Sequence, residues 1–197
     1  MTMTDTNTAT SVEAPAATFA ELATVGAVAS TDQDRPALTC VHFATRDGAL
    51  TAEATDSYRL ARVTSTVDAP DGFSVLVPAK WLAKALRTVA PARYRGPVTL
   101  RTDGATVALE SLEGSASTAV GAGQWPNVDR LIPAESTYTA ELGAFTGAYL
   151  AGLGEVLRGG DPLTVWRCVS MSEMGPSVWT ATREGLSALF LIVPVRQ

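Results

Sequence analysis

The chain has 197 residues, of which 46% are hydrophobic and 18% charged, and its formal net charge is -5. That is the composition of a folded chain able to bury one sizeable core or two small ones, and it excludes extended disorder and a generally basic nucleic-acid binder. Any contact with DNA has to come from a local basic surface on an acidic body.

Residues 1–16 are rich in Thr and Ala and poor in large apolar side chains, which predicts a flexible N-terminal arm. The same stretch lacks a basic n-region and an apolar h-region, and no window reaches about 18 consecutive apolar residues, so neither a signal peptide nor a membrane span is expected. A helix is predicted from about residue 18 to 30, with Thr18 as N-cap and Glu21 as its capping-box partner. Phe19, Leu22, Val25, Gly26 and Ala29 fall along one face of it.

Three strands are expected next, at 37–45, 49–55 and 58–65, with Arg46-Asp47-Gly48 as a hairpin turn between the first two. The order then repeats: a strand at 73–77, Pro78 at a helix start, a helix at 79–90, and strands near Val98, Thr106 and Ser117. A third pass has a strand at 137–142 and a helix at 145–158 stopped by Gly159-Gly160, then strands at 163–170, 177–182 and 187–195. Three βαβββ units of about 60 residues emerge, the mark of repeated units that bury their faces against neighbours.

Within this pattern, Leu50, Ala52 and Ala54 alternate with Thr51, Glu53 and Thr55 before a polar corner at Asp56-Ser57, and a second strand resumes at Tyr58. Short polar side chains suit that corner because they accept hydrogen bonds from backbone N–H groups just ahead. In the second helix Lys80, Lys84 and Arg87 share one face, opposite Trp81, Leu82, Ala85, Leu86 and Val89.

Signals for catalysis are weak. Neither a Walker A loop nor GxSxG is present, His42 has no Ser or Cys at motif spacing, and Gly159-Gly160-Asp161 reads as a helix stop. Cys40 and Cys168 lack CxxC spacing, so no metal or other cofactor is expected. Each sits in an apolar strand-like run as a small buried hydrophobe, and a cytoplasmic location follows.

The string Ala54-Thr55-Asp56-Ser57-Tyr58-Arg59-Leu60-Ala61 closely resembles the ATDxxRLA signature of bacterial sliding clamps, the beta subunit of DNA polymerase III. Arg35-Pro36-Ala37-Leu38, the run Gln124 to Pro133, and Leu191-Ile192-Val193-Pro194-Val195-Arg196 are similar to the same family in order and spacing. Ser57-Tyr58 stands where many clamps have Gly-His, and Val193 where Met is frequent.

The resemblance implies an α+β sliding-clamp fold in which the helices line the inside of a ring and the sheets its outside. It assigns residues 17–133 to one complete clamp domain of two repeats, and 134–197 to a half domain with the C-terminal tail. Family rings have six domains, hence twelve repeats, so three repeats per chain imply a homotetramer, favoured over a trimer or a dimer. A monomer that only uses the peptide-binding surface is a further option.

The function implied is that of a processivity factor, not an enzyme, that encircles duplex DNA without reading sequence and tethers DNA polymerase and clamp-loader peptides. A non-encircling protein that binds the same peptides is the alternative. Matched by position, one wall of the cleft is Leu38, Thr55, Ser57, Tyr58, Arg59, Leu60, Pro126, Arg130 and Leu131. The facing wall is Thr146, Tyr149, Ser177, Val193, Pro194, Val195 and Arg196, and the expected apolar contacts open to water are Leu60, Leu131 and Val193. Lys80, Lys84, Arg87 and Arg158 are the DNA-facing candidates, because spaced cations hold phosphates loosely enough to slide.

Overall fold

The computed structural model describes residues 10–67, 69, 71–134, 147–157, 166–170, 175–183 and 185–193. The first repeat comprises β1 (Thr10–Pro15), α1 (Ala16–Leu22), β2 (Cys40–Arg46), β3 (Ala49–Thr55) and β4 (Arg59–Thr66). The second comprises β5 (Ser74–Pro78), α2 (Ala79–Val89), β6 (Pro97–Thr102), β7 (Thr106–Ser111) and β8 (Gly114–Ala119). The third contributes α3 (Gly147–Ala151), β9 (Arg167–Ser170), β10 (Ser177–Arg183) and β11 (Leu186–Ile192). The strand expected at 137–142 lies outside the described residues.

Among the described residues all the strands pair antiparallel, in a four-stranded sheet of order β1-β6-β7-β8 and a seven-stranded sheet of order β5-β2-β3-β4-β11-β10-β9. The first two repeats exchange their opening strands. β1 lies on β6 from Thr10↔Thr102 to Pro15↔Pro97, and β5 lies on β2. The third repeat joins the first through last strands, β11 on β4, so one sheet runs unbroken across the two repeats.

Strand alternation then sorts side chains by face. Val41, Phe43, Leu50, Ala52, Ala54, Ala61, Val63, Phe190 and Ile192 point inward. They meet Phe19, Leu22, Val25 and Val28 of the first helical segment, Leu82, Ala85 and Val89 of α2, and Leu153, Val156 and Leu157 of the third. Burying a large apolar side chain of this kind stabilises by about 1.5–3 kcal/mol. On the other face, Leu60, Val128, Val178 and Leu191 form a second small cluster beside Trp125, Ile132 and Leu189.

Several expectations change. Residues 10–15, expected within the arm, form a strand because their backbone pairs with β6 along its whole length. The first helix starts at Ala16 after Pro15, whose φ of -54° already suits a helix start, so Thr18 is not its cap. After Leu22 it tightens to a 3-10 segment, Ala23–Val28. Glu21 makes no capping box; it is buried and accepts a hydrogen bond from Nη2 of Arg183 on β10 at 2.6 Å.

The strand expected from residue 37 begins at Cys40, since Pro36–Thr39 takes a 3-10 turn. Among the described residues of the helix expected at 145–158, α3 gives way to a 3-10 turn at Gly152–Gly154, consistent with glycine's weak helix preference. Cys40 is buried as expected, but Cys168 is exposed because β9 lies at the end of its sheet. Among the described residues, no helix is long and apolar enough to cross a membrane.

Candidate functional site

The corner between β3 and β4 is held by its own polar groups. Oδ1 of Asp56 accepts the N–H of Tyr58 and of Arg59, each at 3.0 Å, while Oδ2 pairs with Arg59 Nε at 2.9 Å. The Thr55 hydroxyl donates to the Arg59 carbonyl at 2.7 Å and accepts the Ser57 N–H at 3.1 Å. Ser57 is thereby held at φ 81°, in the left-handed region, with its hydroxyl taking a hydrogen bond from Arg35 Nη1 at 2.7 Å.

This corner projects Tyr58 outward, 56% exposed, while its carbonyl accepts the N–H of Val193 at 2.9 Å just past the end of β11. Val193 is itself 44% exposed. The third repeat adds Tyr149 of α3, which stacks on Tyr58 with ring centroids 6.0 Å apart and lies 5.6 Å from the Arg59 guanidinium. Close approach depends on Gly152, where a Cβ would stand 2.6 Å from Arg59 Nη1 and 3.1 Å from the Phe190 ring.

A polar network fastens the segment 125–131 beside this corner. Trp125 stacks on His42 at 5.2 Å and donates its indole N–H to Glu53 Oε2 at 2.9 Å. His42 Nδ1 lies 3.2 Å from the same oxygen, and Arg62 bridges Glu53 to Asp129. Burial works to raise the Glu53 pKa, but His42 and Arg62 outweigh it and hold the carboxyl below its ordinary value. For Arg62, burial works the other way, yet Glu53 and Asp129 raise its pKa, and Arg62 holds the Asp129 carboxyl low.

So anchored, the 3-10 turn Val128–Leu131 seats Val128 on Leu60, Val178 and Leu191 and leaves Leu131 55% exposed. The result is a buried apolar floor with exposed apolar groups around it. Such a surface can take up Leu or Phe anchors of a short peptide.

On the helical side, α2 buries Leu82, Ala85 and Val89 and exposes Lys80, Lys84 and Arg87. None of the three is in an ion pair among the described residues. The exposed positions of α1, Ala17 and Ala20, are uncharged, as are Leu150 and Ala151 of α3. Arg158 lies outside the described residues.

Residues 10–127 match the family description "DNA polymerase III beta subunit, central domain". The chain belongs to the DNA polymerase III beta subunit family. By sequence similarity alone, no curated protein matches it.

Its fold is that of the sliding clamps. It superposes on the Thermotoga maritima beta subunit with a TM-score of 0.75 at 15% identity, covering 95% of this chain and 66% of that one. Against the Bacillus subtilis sliding clamp the TM-score is 0.74 at 18% identity, with coverage of 100% and 66%. A Pseudomonas aeruginosa beta subunit gives 0.77 at 14%, with coverage of 100% and 69%. The chain therefore spans about two thirds of the length of these beta subunits.

The cleft residues carried over from the family fall into separate groups. Ser57, Tyr58, Arg59, Tyr149 and Val193 come together at the corner, and Pro126, Arg130 and Leu131 lie exposed on the anchored segment. Leu38 is half-buried in its 3-10 turn, whose loop reaches the corner through the Arg35–Ser57 bond. Leu60, expected open to water, is only 2% exposed because Val128 folds over it. Thr55 and Ser177 are also buried; Thr55 positions the corner, and Ser177 donates to the Ile192 carbonyl and accepts the Trp179 indole N–H.

Thr146, Pro194, Val195 and Arg196 lie outside the described residues. Sequence reasoning missed Trp125, Glu53, His42, Arg62, Asp129 and Gly152 as site-forming residues. The signal for the central part was present, since strand alternation puts His42, Glu53 and Arg62 on one face, where they pair as His42↔Glu53 and Glu53↔Arg62.

Proposed function

We propose that this chain is a subunit of a DNA sliding clamp, a processivity factor that closes around duplex DNA and tethers a polymerase and its loader through the cleft at Tyr58, Leu131 and Val193. It acts by binding, performs no chemistry of its own, and works where the chromosome is copied, in the cytoplasm. The observation that carries this reading is the β4–β11 junction, which continues one sheet from the first repeat into the third while the helices stay on its inner face. Residues 17–133, with β1 and Ala16 added, form the complete domain in this reading, and 134–197 the half domain.

Three repeats per chain and twelve per ring give a homotetramer. Lys80, Lys84 and Arg87 then face the duplex as a thin basic lining, loose enough for sliding. In solution the 197-residue chain is expected at four times its monomer mass by light scattering at micromolar concentration. Loaded onto nicked circular plasmid, it should stay bound in salt and leave when the plasmid is cut. A monomer that still binds polymerase peptides would instead support the non-encircling reading.

A further inference from the structure

Each repeat ends on a strand, β4, β8 and β11 in turn. Two of these meet within the chain, β4 and β11 pairing antiparallel from Leu186↔Ser65 to Ile192↔Arg59. The third, β8, is the last strand in the order β1-β6-β7-β8, so its outer backbone edge has no strand partner among the described residues.

Protein sheets guard a free edge with lysine, proline, a bulge or a covering loop, because unpaired N–H and C=O groups recruit another strand. β8 reads GSASTA, without charge or proline, and its pairing with β7 runs in unbroken register. The turn that opens it leaves Leu112 91% exposed. That turn joins third strand to last strand, as the corner bearing Tyr58 does in the first repeat, where the neighbouring last strand packs against it.

We propose that β8 pairs antiparallel with β8 of a second copy of this chain about a two-fold axis normal to the sheet, with each Leu112 closing over the far end of its partner's strand. The occupant follows from the pattern inside the chain. The junction seen joins last strand to last strand, and β4 and β11 are already engaged with each other. Among the described strands, the last strand left to meet β8 is β8 of another copy, and a strand that pairs with itself does so isologously. The outward side chains Ser115, Ser117 and Ala119 bring no like charges together across the axis. This deepens the ring reading and rests on it for the rule that repeats close edge to edge.

Four full-length chains test it, Ser115→Cys, Ala116→Cys, Ser117→Cys and Thr118→Cys, each with Cys168→Ser, so that the introduced thiol stands beside only the buried Cys40. A two-fold axis normal to the sheet places one residue of β8 opposite its own copy at about 4.5–5.5 Å between Cα atoms, within disulfide reach. Mild oxidation should therefore give a covalent dimer at one position and not at its neighbours. Ser115→Glu with Ser117→Glu should halve the native mass and keep the circular dichroism spectrum. A multi-chain assembly in which none of the four cysteines cross-links overturns the β8 pairing and leaves the ring reading standing. Cross-linked dimers that assemble no further support the pairing and overturn the four-chain ring. A monomer that never cross-links overturns both.

Discussion

Tyr58 and Tyr149 stack with ring centroids 6.0 Å apart and planes inclined by 15°, bringing the corner of the first repeat against the helix of the third. Tyr58 remains 56% exposed in that contact, whereas Leu60, two residues on, is 2% exposed. In the proposed cleft the two residues are expected to separate binding from folding. Tyr58→Ala should weaken a fluorescent peptide with Leu and Phe anchors ten- to a hundredfold, about 1.4–2.8 kcal/mol, as loss of an aromatic anchor does. Leu60→Ala should lower stability by about 2–5 kcal/mol in urea unfolding. Unchanged peptide affinity in Tyr58→Ala would place the cleft elsewhere.

The Glu53 network gives a signed pH dependence. Its carboxyl is held below the ordinary value in the fold, so the folded chain binds the proton less readily than the unfolded chain. The stabilisation is complete above the unfolded value of about 4.3 and is lost as pH falls through the lower folded value. Urea unfolding at stepped pH should show that acid limb in the wild type and a shallower one in Glu53→Gln. Trp125 fluorescence should shift over the same interval, because its indole N–H is held by Glu53. An identical acid limb in both proteins would remove Glu53 as the anchor of the segment.

At Gly152, a Cβ would meet Arg59 Nη1 at 2.6 Å and the Phe190 ring at 3.1 Å. The arginine end can swing aside, but Phe190 is fully buried. Gly152→Ala should therefore weaken peptide binding by moving Arg59 off Tyr149, and cost about 1 kcal/mol where its Cβ presses on the Phe190 ring. Gly152→Val should cost about 1–3 kcal/mol through overpacking. Equal peptide affinity in wild type and Gly152→Ala would mean that the Arg59 position does not shape the cleft.

Much of this fold was legible because local pattern and final burial agree. Period-two alternation in 49–55 and 59–66 matches the inward Leu50, Ala52, Ala54, Ala61 and Val63, and α2 separates its apolar and basic faces as its spacing predicts. What misled were residues decided by distant partners. Thr18 and Glu21 have capping-box spacing, yet β10 supplies Arg183 to Glu21, far away in the chain. Alternation alone puts Tyr58 and Leu60 on one face, but Tyr58 sits in the corner before β4 and stays exposed, while the segment over Leu60 buries it. The network around Glu53 joins side chains from β2, β3, β4 and the loop after β8, and no local window contains it.

The basic face of α2 gives the last expectation. Lys80, Lys84 and Arg87 are exposed and unpaired among the described residues, and the exposed positions of α1 and α3 carry no compensating charge. Substituting exposed side chains of this kind changes stability by no more than about 0.5 kcal/mol each, so Lys80→Gln, Lys84→Gln and Arg87→Gln together should fold and assemble as the wild type does. On duplex DNA each lost phosphate contact should lower the slope of log affinity against log salt by about 0.9. Fluorescence anisotropy on a short duplex from low to physiological salt reads that slope. A ring holding DNA mainly by closure should nonetheless keep its retention on circular plasmid in the triple variant, with only its salt dependence changed. An unaltered slope with normal assembly would show that α2 does not face the duplex.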